Sequence, residues 1–501
     1  MDVGAVAAVA VAVAGAGAVV VAALTKYPHK VTVTIAVTNF LTKYAWIGNE
    51  QEVPEVTESI AGMVRSVRKQ GSRLVFITVA AVGEGVTLQV MARRDNYGGS
   101  DFNNLRRLSI GDRVFVTGFP ARSKSGQLSI IPTRLVVTAP CLHQLPSAKG
   151  GELGPEVRYR RPYLGMMTGM TDLAQTLITR ARVIQYIRSF LDGQGFLEVE
   201  TPILNTVACG AAAKPFTTHH NDLGIDLQMR VAPELFLKTL VVGGFDRVFE
   251  IGKQFRNETI DPTHNPEFTT VEFYMAYADY EDMIVMAESL VHGLVKCITG
   301  GSTIEWGGQV IDVTPPFQRI PVVEGLEKAL GITLPVEFES DETRRFFEKV
   351  FDDNGFRLPP NPTTARMIDE LVSELLETQA VGRPVFITEH PQIMSPLAKA
   401  HRSKPAVTER FELFVMGKEL CNAYTEQNDP EEQRRQFEAQ AAAKAGGDAE
   451  AHGIDEEFLV ALEHGLPPIA GLGMGIDRLV MFLVGALNIK DVLAFPPMAP
   501  Q

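Results

Sequence analysis

The chain has 501 residues, 45% of them hydrophobic and 21% charged, which is enough for two or three domains with at least one large core. This balance is ordinary for a soluble globular protein. Four scattered cysteines form no C-x-x-C pair, which argues against a zinc site and a disulfide framework and favours a reducing compartment. They are Cys141, Cys209, Cys297 and Cys421.

The net charge of −13 is unevenly distributed. Residues 1–150 hold 16 basic and 9 acidic residues, whereas the remainder holds 31 basic and 51 acidic residues. A basic N-terminal module on an acidic body fits an anionic partner held at one end. Chance asymmetry between two surfaces is the alternative.

The N-terminus is an uncharged run of Val, Ala and Gly from Val3 to Leu24. Its length would span a bilayer, but it has three glycines, no Leu, Ile or Phe before Leu24 and no preceding Lys or Arg. We therefore predict a disordered low-complexity tail over residues 1–25 and no membrane anchor. A targeting segment is the alternative.

After a lead-in segment, 26–54, the pattern becomes all-β. Apolar runs separated by glycines predict strands at Ile60–Val67, Leu74–Val82, Val86–Ala92, Arg113–Gly118 and Leu128–Thr138, with a helix from Asp101 to Leu108. Five strands with a helix before the fourth predict an OB-fold barrel over 55–146, a fold that binds single-stranded nucleic acid. The basic and aromatic residues of the first two strands would lie on its binding face, unless they form a solvated hairpin. These are Arg65, Arg68, Lys69, Arg73 and Phe76.

A linker at 147–157 precedes an α+β region, 158–501. A helical period runs from Asp172 to Gln194, and a strand ends at Pro202. A polar helical stretch around 336–380 interrupts the β-rich body and is predicted to be an insertion. Strands flank Gly417 between Glu409 and Glu426, and a charged helix is predicted from Asp429 to Ala451.

The stretch from Phe249 to Tyr274 reads as two strands joined by a polar loop. Its loop has too many hydrogen-bonding groups for a plain hairpin. Arg256 suits a phosphate, Glu258 can accept from an exocyclic amine, and Phe268 can stack on a base. The stretch therefore predicts a nucleotide clamp.

Two further features fit a nucleotide site. Glu412 and Glu419 lie on neighbouring strands of a predicted hairpin, where paired carboxylates could hold Mg²⁺ or simply be exposed strand acids. The run from Gly471 to Arg478 has three alternate glycines that would let the backbone approach a ligand, with Arg478 at a helix start.

Together these residues resemble the three motifs of class II aminoacyl-tRNA synthetases. Pro202 closes the first motif, Phe255-Arg256-Asn257-Glu258 is similar to the second, and Gly471–Arg478 to the third. The runs GAAAKPF, RVAPEL, QFRNETIDPTHNPEFTTVEFYMAYADY, HPQIMSPLAKAHRS, ERFELFV, CNAYTE and GLGMGIDR narrow the resemblance to lysyl-tRNA synthetases of the cytosolic eukaryotic type. It covers nearly everything from Lys26 to Pro497.

The resemblance implies an OB-fold barrel joined to an antiparallel sheet flanked by helices. It also implies a lysine–tRNA ligase that uses ATP and Mg²⁺, binds tRNA and forms a cytoplasmic homodimer through the motif of Pro202. Arg256 and Arg478 would be the catalytic cations. ATP would meet Arg256, Glu258, His264, Asn265, Phe268, Glu412, Leu413, Glu419, Gly475 and Arg478.

Within that set, Glu412 and Glu419 would hold the metal. L-lysine would meet Gly210, Glu234, Glu272, Tyr274, Asn422, Tyr424 and Glu426. A lysine ammonium needs a desolvated carboxylate, and Glu426 is the one we select. The anticodon would meet Arg68, Phe76 and Gln89.

The barrel departs from the family pattern. Met63 follows Gly62 where Arg is usual, and Ile77 and Thr78 replace an aromatic and an acid. In the third motif Leu472 replaces a bulkier aromatic. The Lys-rich arm common in eukaryotic relatives is replaced by the Ala/Val tail, which should weaken the salt dependence of tRNA binding.

Two other functions stay open on the sequence. One is a synthetase for aspartate or asparagine, which the acidic and aromatic pocket of Glu272, Tyr274 and Glu426 disfavours. The other is a paralogue that binds RNA or a protein without charging tRNA, which the intact Arg256, Glu412, Glu419 and Arg478 argue against.

Overall fold

The computed structural model describes residues 27–81, 85–99, 101–147, 151–207, 210–211, 213–445 and 453–498. The predicted tail, the end of the strand predicted to reach Val82, Cys209 and the end of the helix predicted to reach Ala451 lie outside these ranges. The described chain forms two compact units. One contains residues 27–153 and 163–171, and the other contains 154–162 and the residues from 172 onward.

The first unit is a closed five-stranded barrel. Its strands are β1 Glu58–Gln70, β2 Leu74–Ala80, β3 Thr87–Arg93, β4 Arg113–Arg122 and β5 Leu128–Ala139. They are ordered β1-β2-β3-β5-β4, and β4 closes the barrel by pairing with β1. All five predicted strands are present, and the short helix α2, Phe102–Leu105, lies before β4. The OB-fold prediction is confirmed.

The lead-in segment contributes to the same core. Its helix α1, Val37–Lys43, buries Val37 and Phe40 among the barrel's apolar side chains. Tyr44, just after the helix, donates its hydroxyl to Glu58 on β1 at 2.6 Å. The barrel core thus begins before its first strand.

The second unit is built on an eight-stranded sheet ordered β14-β15-β16-β17-β18-β11-β10-β6. The strands are β6 Leu197–Glu198, β10 Arg247–Phe255, β11 Glu267–Ala276, β14 Gln318–Pro321, β15 Val385–Thr388, β16 Arg410–Val415, β17 Lys418–Thr425 and β18 Ile469–Gly475. The two outermost pairs are parallel and the central pairs are antiparallel. Smaller sheets are formed by β7 Leu204–Asn205, β8 Thr217–His220 and β9 Ile225–Met229, and by β12 Thr303–Trp306 and β13 Gln309–Asp312.

Helices flank this sheet, as predicted. The helices of the second unit are α3 Pro155–Arg160, α5 Leu173–Gly193, α6 Glu234–Val242, α7 Tyr280–Thr299, α8 Val322–Leu330, α9 Asp341–Asn354, α10 Thr364–Leu375, α11 Pro430–Ala445, α12 Glu456–Glu463 and α13 Ile476–Val484. The helix α4, Pro162–Thr168, belongs largely to the first unit. Apolar residues of α5, α7 and α13 share one core with the sheet, and α8, α9 and α10 form a core with the edge strands. Within the described ranges no helix is both long and apolar enough to cross a bilayer.

Alternation along the central strands divides the two faces. Phe273 on β11 joins the core under α5, α7 and α13, whereas its neighbour Tyr274 joins a smaller cluster with α6 and α12. β10 and β11 pair in register from Arg247↔Met275 to Phe255↔Glu267, so the loop between them extends from the sheet end. One face is therefore a packed core, and the other is available for a site.

Candidate active site

A cavity of about 390 Å³ lies over the second face of the sheet. It is lined by most of the residues that the sequence assigned to ATP, metal and lysine. They are Gly210, Glu234, Arg256, Glu258, His264, Asn265, Phe268, Glu272, Tyr274, Glu412, Glu419, Asn422, Tyr424, Glu426, Gly475 and Arg478. The structure places Leu413 elsewhere, fully buried in the core under the opposite face, because it alternates with Glu412 along β16.

The β10–β11 loop holds Arg256 against an aromatic ring. The Arg256 guanidinium carbon is 5.1 Å from the centre of the Phe268 ring, a cation–π distance. The backbone NH of Arg256 donates to the Pro266 carbonyl at 2.9 Å, closing the base of the loop. The Nε of Arg256 is buried and has no hydrogen-bond partner among the described residues. Arg256 is thus fixed at its base and carries unused donor capacity toward an anion.

Arg478 at the start of α13 lies in a second polar group. Its Nη1 donates to Glu419 Oε2 at 2.9 Å, and its Nη2 is 2.9 Å from His264 Nε2. His264 in turn is 2.7 Å from Asp261 through Nδ1. Burial alone would raise the pKa of Asp261, but hydrogen bonds from Thr263 and His264 outweigh it and lower that pKa to about 2. His264 therefore lies between Arg478 and an ionised Asp261.

Glu412, the other candidate metal ligand, is held by two residues that the sequence did not single out. Arg410 donates to Glu412 Oε1 at 2.6 Å, and His390 Nε2 lies 3.4 Å from Glu412 Oε2. Burial opposes ionisation of Glu412, but the Coulombic attraction of Arg410 and His390 keeps its pKa below the ordinary value. Arg410 also donates through Nε to Asn422 at 3.1 Å. In the sequence, the one indication of this contact is that Arg410 lies two residues before Glu412 on β16, on the same face of the strand.

The opposite end of the cavity is strongly acidic. Glu234, Glu272 and Glu426 are 4%, 7% and 1% exposed, so three carboxylates are desolvated together. Tyr424 donates its hydroxyl to Glu234 at 2.7 Å, and Tyr274 lies 3.4 Å from Glu272. A set of this kind binds cations, because ammonium groups restore the charge balance that burial disfavours.

Burial changes the protonation of this acidic end. It raises the pKa of Glu272 to about 8, with repulsion from Glu234 as the next cause, while Arg256 and Arg230 act in the opposite direction. Burial also raises the pKa of Glu426, although Lys238 opposes it, and the pKa of Tyr274 is raised by burial and by Glu234. Below about pH 8, ionised Glu272 is therefore favoured only when a cation is present.

The glycines of the third motif make room for this pocket. A Cβ at Gly471 would overlap the Tyr274 ring and lie 2.5 Å from Glu426 Oε1. A Cβ at Gly473 would lie 3.4 Å from Glu272 Cγ, an ordinary contact. Gly210 lies against Glu234, and its φ of +101° is a backbone conformation that favours glycine. At Gly471, the space serves protein side chains that shape the site.

The anticodon candidates lie on the barrel. Arg68 and Phe76 face each other across β1 and β2, and the Arg68 guanidinium carbon is 5.6 Å from the ring centre. Gln89 is 4% exposed, and its amide is used by Ser129 at 3.0 Å and Gln127 at 2.9 Å. The structure thus presents Arg68 and Phe76 at the surface, whereas Gln89 lies beneath Gln127.

The structure also shows where the residues that depart from the family pattern lie, and where the first motif lies. Met63 and Ile77 are buried in the barrel, so neither side chain faces solvent. Pro202 is exposed next to Thr201, whose hydroxyl donates to Glu250 at 2.6 Å. Glu250 pairs with Arg230 at 2.7 Å, which anchors the segment before Pro202 to β10.

Comparisons with known proteins agree with this geometry. The family of class II tRNA synthetases for D, K and N matches residues 154–499, and the OB-fold nucleic acid binding domain matches residues 58–138. A lysine–tRNA ligase of Cladosporium cladosporioides is 49% identical over 94% of this chain and 81% of its own length.

Two other relatives are similar along nearly their whole length. A probable cytoplasmic lysine–tRNA ligase of Encephalitozoon cuniculi is 44% identical over 95% of this chain and 94% of its own. A lysine–tRNA ligase of Moorella thermoacetica is 42% identical over 90% of each chain. The chain therefore belongs to the lysine–tRNA ligase family of class II aminoacyl-tRNA synthetases.

Proposed function

We propose that this chain activates L-lysine with ATP and then transfers it to the 3′ end of its tRNA, with the residues of the cavity in the roles given below. The observation that carries the proposal is that three buried carboxylates and Arg256 line one cavity. Free lysine has two ammonium groups and one carboxylate, so its charges complement the two ends of this cavity.

The acidic end would receive the two ammonium groups. Glu234 lies beside Gly210 and would take the α-ammonium group. Glu426 and Glu272 would take the side-chain ammonium group, with Tyr274 donating to Glu272. Asn422 and Tyr424 would line the same pocket. The substrate carboxylate would then point toward Arg256.

The other end would receive ATP. Arg256 would hold the α-phosphate, Phe268 and Arg478 would enclose the adenine, and Glu258 would accept from its amine. His264 and Asn265 would contact the pyrophosphate end, near Gly475. Because Arg256 lies over Phe268 and Arg478 binds Glu419, we infer that ATP displaces both guanidinium groups from these partners.

The metal proposal rests on Glu412 and Glu419. Both line the cavity, and both are paired with cations, Arg410 and Arg478 respectively, as carboxylates must be when partly desolvated. Within the described residues no three His, Cys, Asp or Glu side chains are gathered around one point. Two carboxylates still fit Mg²⁺, which keeps water ligands and takes others from nucleotide phosphates. When bound, Mg²⁺ would neutralise phosphate charge.

The chemistry follows from this arrangement. A lysine carboxylate oxygen attacks the α-phosphorus, the bond to the β-phosphate bridge breaks, and pyrophosphate leaves. A terminal hydroxyl of tRNA then attacks the lysyl carbonyl, the bond from that carbon to the phosphate oxygen breaks, and AMP leaves with the hydroxyl proton. No side chain need act as an obligate base, because positioning and charge stabilisation by Arg256 account for the role of the protein.

Amino-acid-dependent ATP–pyrophosphate exchange tests the proposal. Lysine should support exchange, whereas aspartate and asparagine should not. Arg256→Ala should abolish lysine-dependent exchange while circular dichroism shows a folded protein. Near-normal exchange by a folded Arg256→Ala variant, or exchange with aspartate in place of lysine, would contradict it.

Three further assignments belong to the same proposal. The barrel would bind the anticodon through Arg68 and Phe76, with Gln89 supporting Gln127 from below. Two copies would associate through the segment that ends at Pro202. The relatives of Encephalitozoon cuniculi and Vairimorpha ceranae are named cytoplasmic, which supports a cytoplasmic location, with an organelle as the alternative if residues 1–25 target the chain.

A further inference from the structure

A buried lysine lies directly behind the acidic end of the cavity. Lys238 on α6 is 0% exposed and does not line the cavity. Its Nζ donates to Glu234 Oε1 at 2.6 Å and forms an ion pair with Glu426 Oε2. It also lies 5.7 Å from the Tyr424 ring centre and 5.9 Å from that of Phe458. A fully buried ammonium is rare unless it is paired, and here both partners are pocket residues.

The remaining groups around this lysine are almost all acidic or neutral. Tyr424, on β17, donates to Glu234, and Glu272, on β11, repels both Glu234 and Glu426. Arg256 and Arg230 act on Glu272 from the β10–β11 loop and the segment after β9 respectively. Phe458 from α12 completes the shell without a charge. Lys238 is thus the cation that contacts two of the three carboxylates.

Counting formal charges shows what this lysine contributes. Three ionised carboxylates with one ammonium leave the acidic end with two net negative charges. The two ammonium groups of a lysine substrate match them, while Arg256 matches the substrate carboxylate. Without Lys238, the same end would carry one excess negative charge, which burial makes unfavourable.

We propose that Lys238 is a positioning residue for the amino-acid site, which fixes the Glu234 and Glu426 carboxylates and sets the pocket charge to match one dicationic amino acid. This inference rests on the proposed lysine activation. Lys238 touches neither substrate in this account. It acts through two carboxylates that do.

Replacement of Lys238 tests this role by separating lysine binding from ATP binding. Lys238→Met keeps most of the length of the side chain and removes its charge, and should raise the lysine KM in exchange by about 10- to 100-fold. The ATP KM should change by less than about twofold, because Glu234 and Glu426 do not serve the nucleotide. Lys404→Met is a matched control, because Lys404 also bridges two carboxylates, Glu324 and Glu389, and does not line the cavity.

The pH dependence of the lysine KM distinguishes this role from general destabilisation, which would not shift it. Lys238 opposes the burial that raises the pKa of Glu426, so loss of its ammonium should raise that pKa further and binding of lysine should require a higher pH. The lysine KM falls as the pH rises, and the pH at the midpoint of this fall should be about one unit higher in Lys238→Met than in the wild type. Lys238→Arg should restore the wild-type midpoint. An unchanged lysine KM and midpoint in folded Lys238→Met would overturn the inference.

Calorimetry on the wild-type protein covers the case in which the variant does not fold. Lysine binding measured in two buffers of different ionisation enthalpy gives the number of protons released. Near pH 7 we expect one or two, from Glu272 and Glu426, whose pKa values are both raised by burial. A count of three, one for each carboxylate, would show that Lys238 neutralises none of them. If wild-type protein shows no lysine-dependent exchange, the proposed function fails, whereas wild-type exchange with an unaffected Lys238→Met variant rejects only this inference.

Discussion

Arg478 and Glu419 bind each other in the cavity, with 2.9 Å between Nη1 and Oε2. The sequence assigned the guanidinium to the adenine and the carboxylate to Mg²⁺, so two groups expected to hold different ligands neutralise each other here. Such a pair keeps both charges satisfied until ATP and its metal arrive together.

Glu419→Gln tests this relationship. The amide can still accept from Arg478 but lacks the charge that a divalent cation needs. The Mg²⁺ concentration for half-maximal exchange should rise about tenfold or more, with little change in lysine KM. Glu267→Gln, at an exposed glutamate that pairs with Lys253, is the control. An unaltered Mg²⁺ requirement would remove Glu419 from the metal site.

Glu272 should make the ligand-free protein less stable as the pH rises. Its native pKa of about 8 lies above its ordinary value of 4.5, so between these values the native state holds a proton that the unfolded state has lost. The contribution of Glu272 to the free energy of unfolding therefore falls as the pH rises from about 4.5 to about 8. The fall is at most about 1.4 kcal/mol per pH unit, and the contribution levels off above this window.

Glu272→Gln removes this effect. The variant should melt at a higher temperature than wild type at pH 8.5, with a smaller difference at pH 5, and should lose lysine-dependent exchange. Thermal unfolding without ligands at pH 5, 7 and 8.5 measures the difference. If the melting temperatures of the two proteins differed by the same amount at all three pH values, Glu272 would not titrate in this range.

Gly471 and Gly473 should differ in their tolerance of a methyl group. Gly471→Ala would push Tyr274 and Glu426 out of place, because its Cβ overlaps the Tyr274 ring. Lysine KM should rise at least about tenfold, whereas Gly473→Ala should have a smaller effect. Gly301→Ala, where the added Cβ meets open space, is the control. Equal lysine KM values for the two pocket variants would contradict this packing.

On the barrel, Phe76→Ala should weaken tRNA binding through loss of a stacking ring. The expected loss is about 1–3 kcal/mol, seen as a higher tRNA KM in aminoacylation. Lysine-dependent exchange, which needs no tRNA, should be unchanged. Arg68→Ala should act in the same direction and reduce the salt dependence of binding. A tRNA KM unaffected by both changes would place the anticodon elsewhere.

Much of the architecture was predictable because local patterns and long motifs agree. The five barrel strands follow from apolar runs punctuated by glycines, and the β10–β11 pair follows from alternation between Phe249 and Tyr274. Most assigned site residues line one cavity because many of them lie on β16, β17, β18 and β11, which are contiguous strands of one sheet.

The rest depended on contacts between elements that are far apart in sequence. Lys238 follows Glu234 by one helical turn, a spacing that allows an ion pair, but its other partner, Glu426, is nearly 190 residues away and could not be foreseen. Likewise, His390 meets Glu412 through the pairing of β15 with β16. Nor could the sequence show that Tyr274 occupies the side-chain volume that Gly471 lacks.

The most direct test of the account is aminoacylation of total tRNA with labelled amino acids by the full chain, alongside a variant lacking residues 1–25. The account predicts acid-precipitable, base-labile lysine on tRNA, no charging with aspartate or asparagine, and no requirement for the tail. Absence of lysyl-tRNA under conditions that support lysine-dependent exchange, or charging with another amino acid, would contradict it.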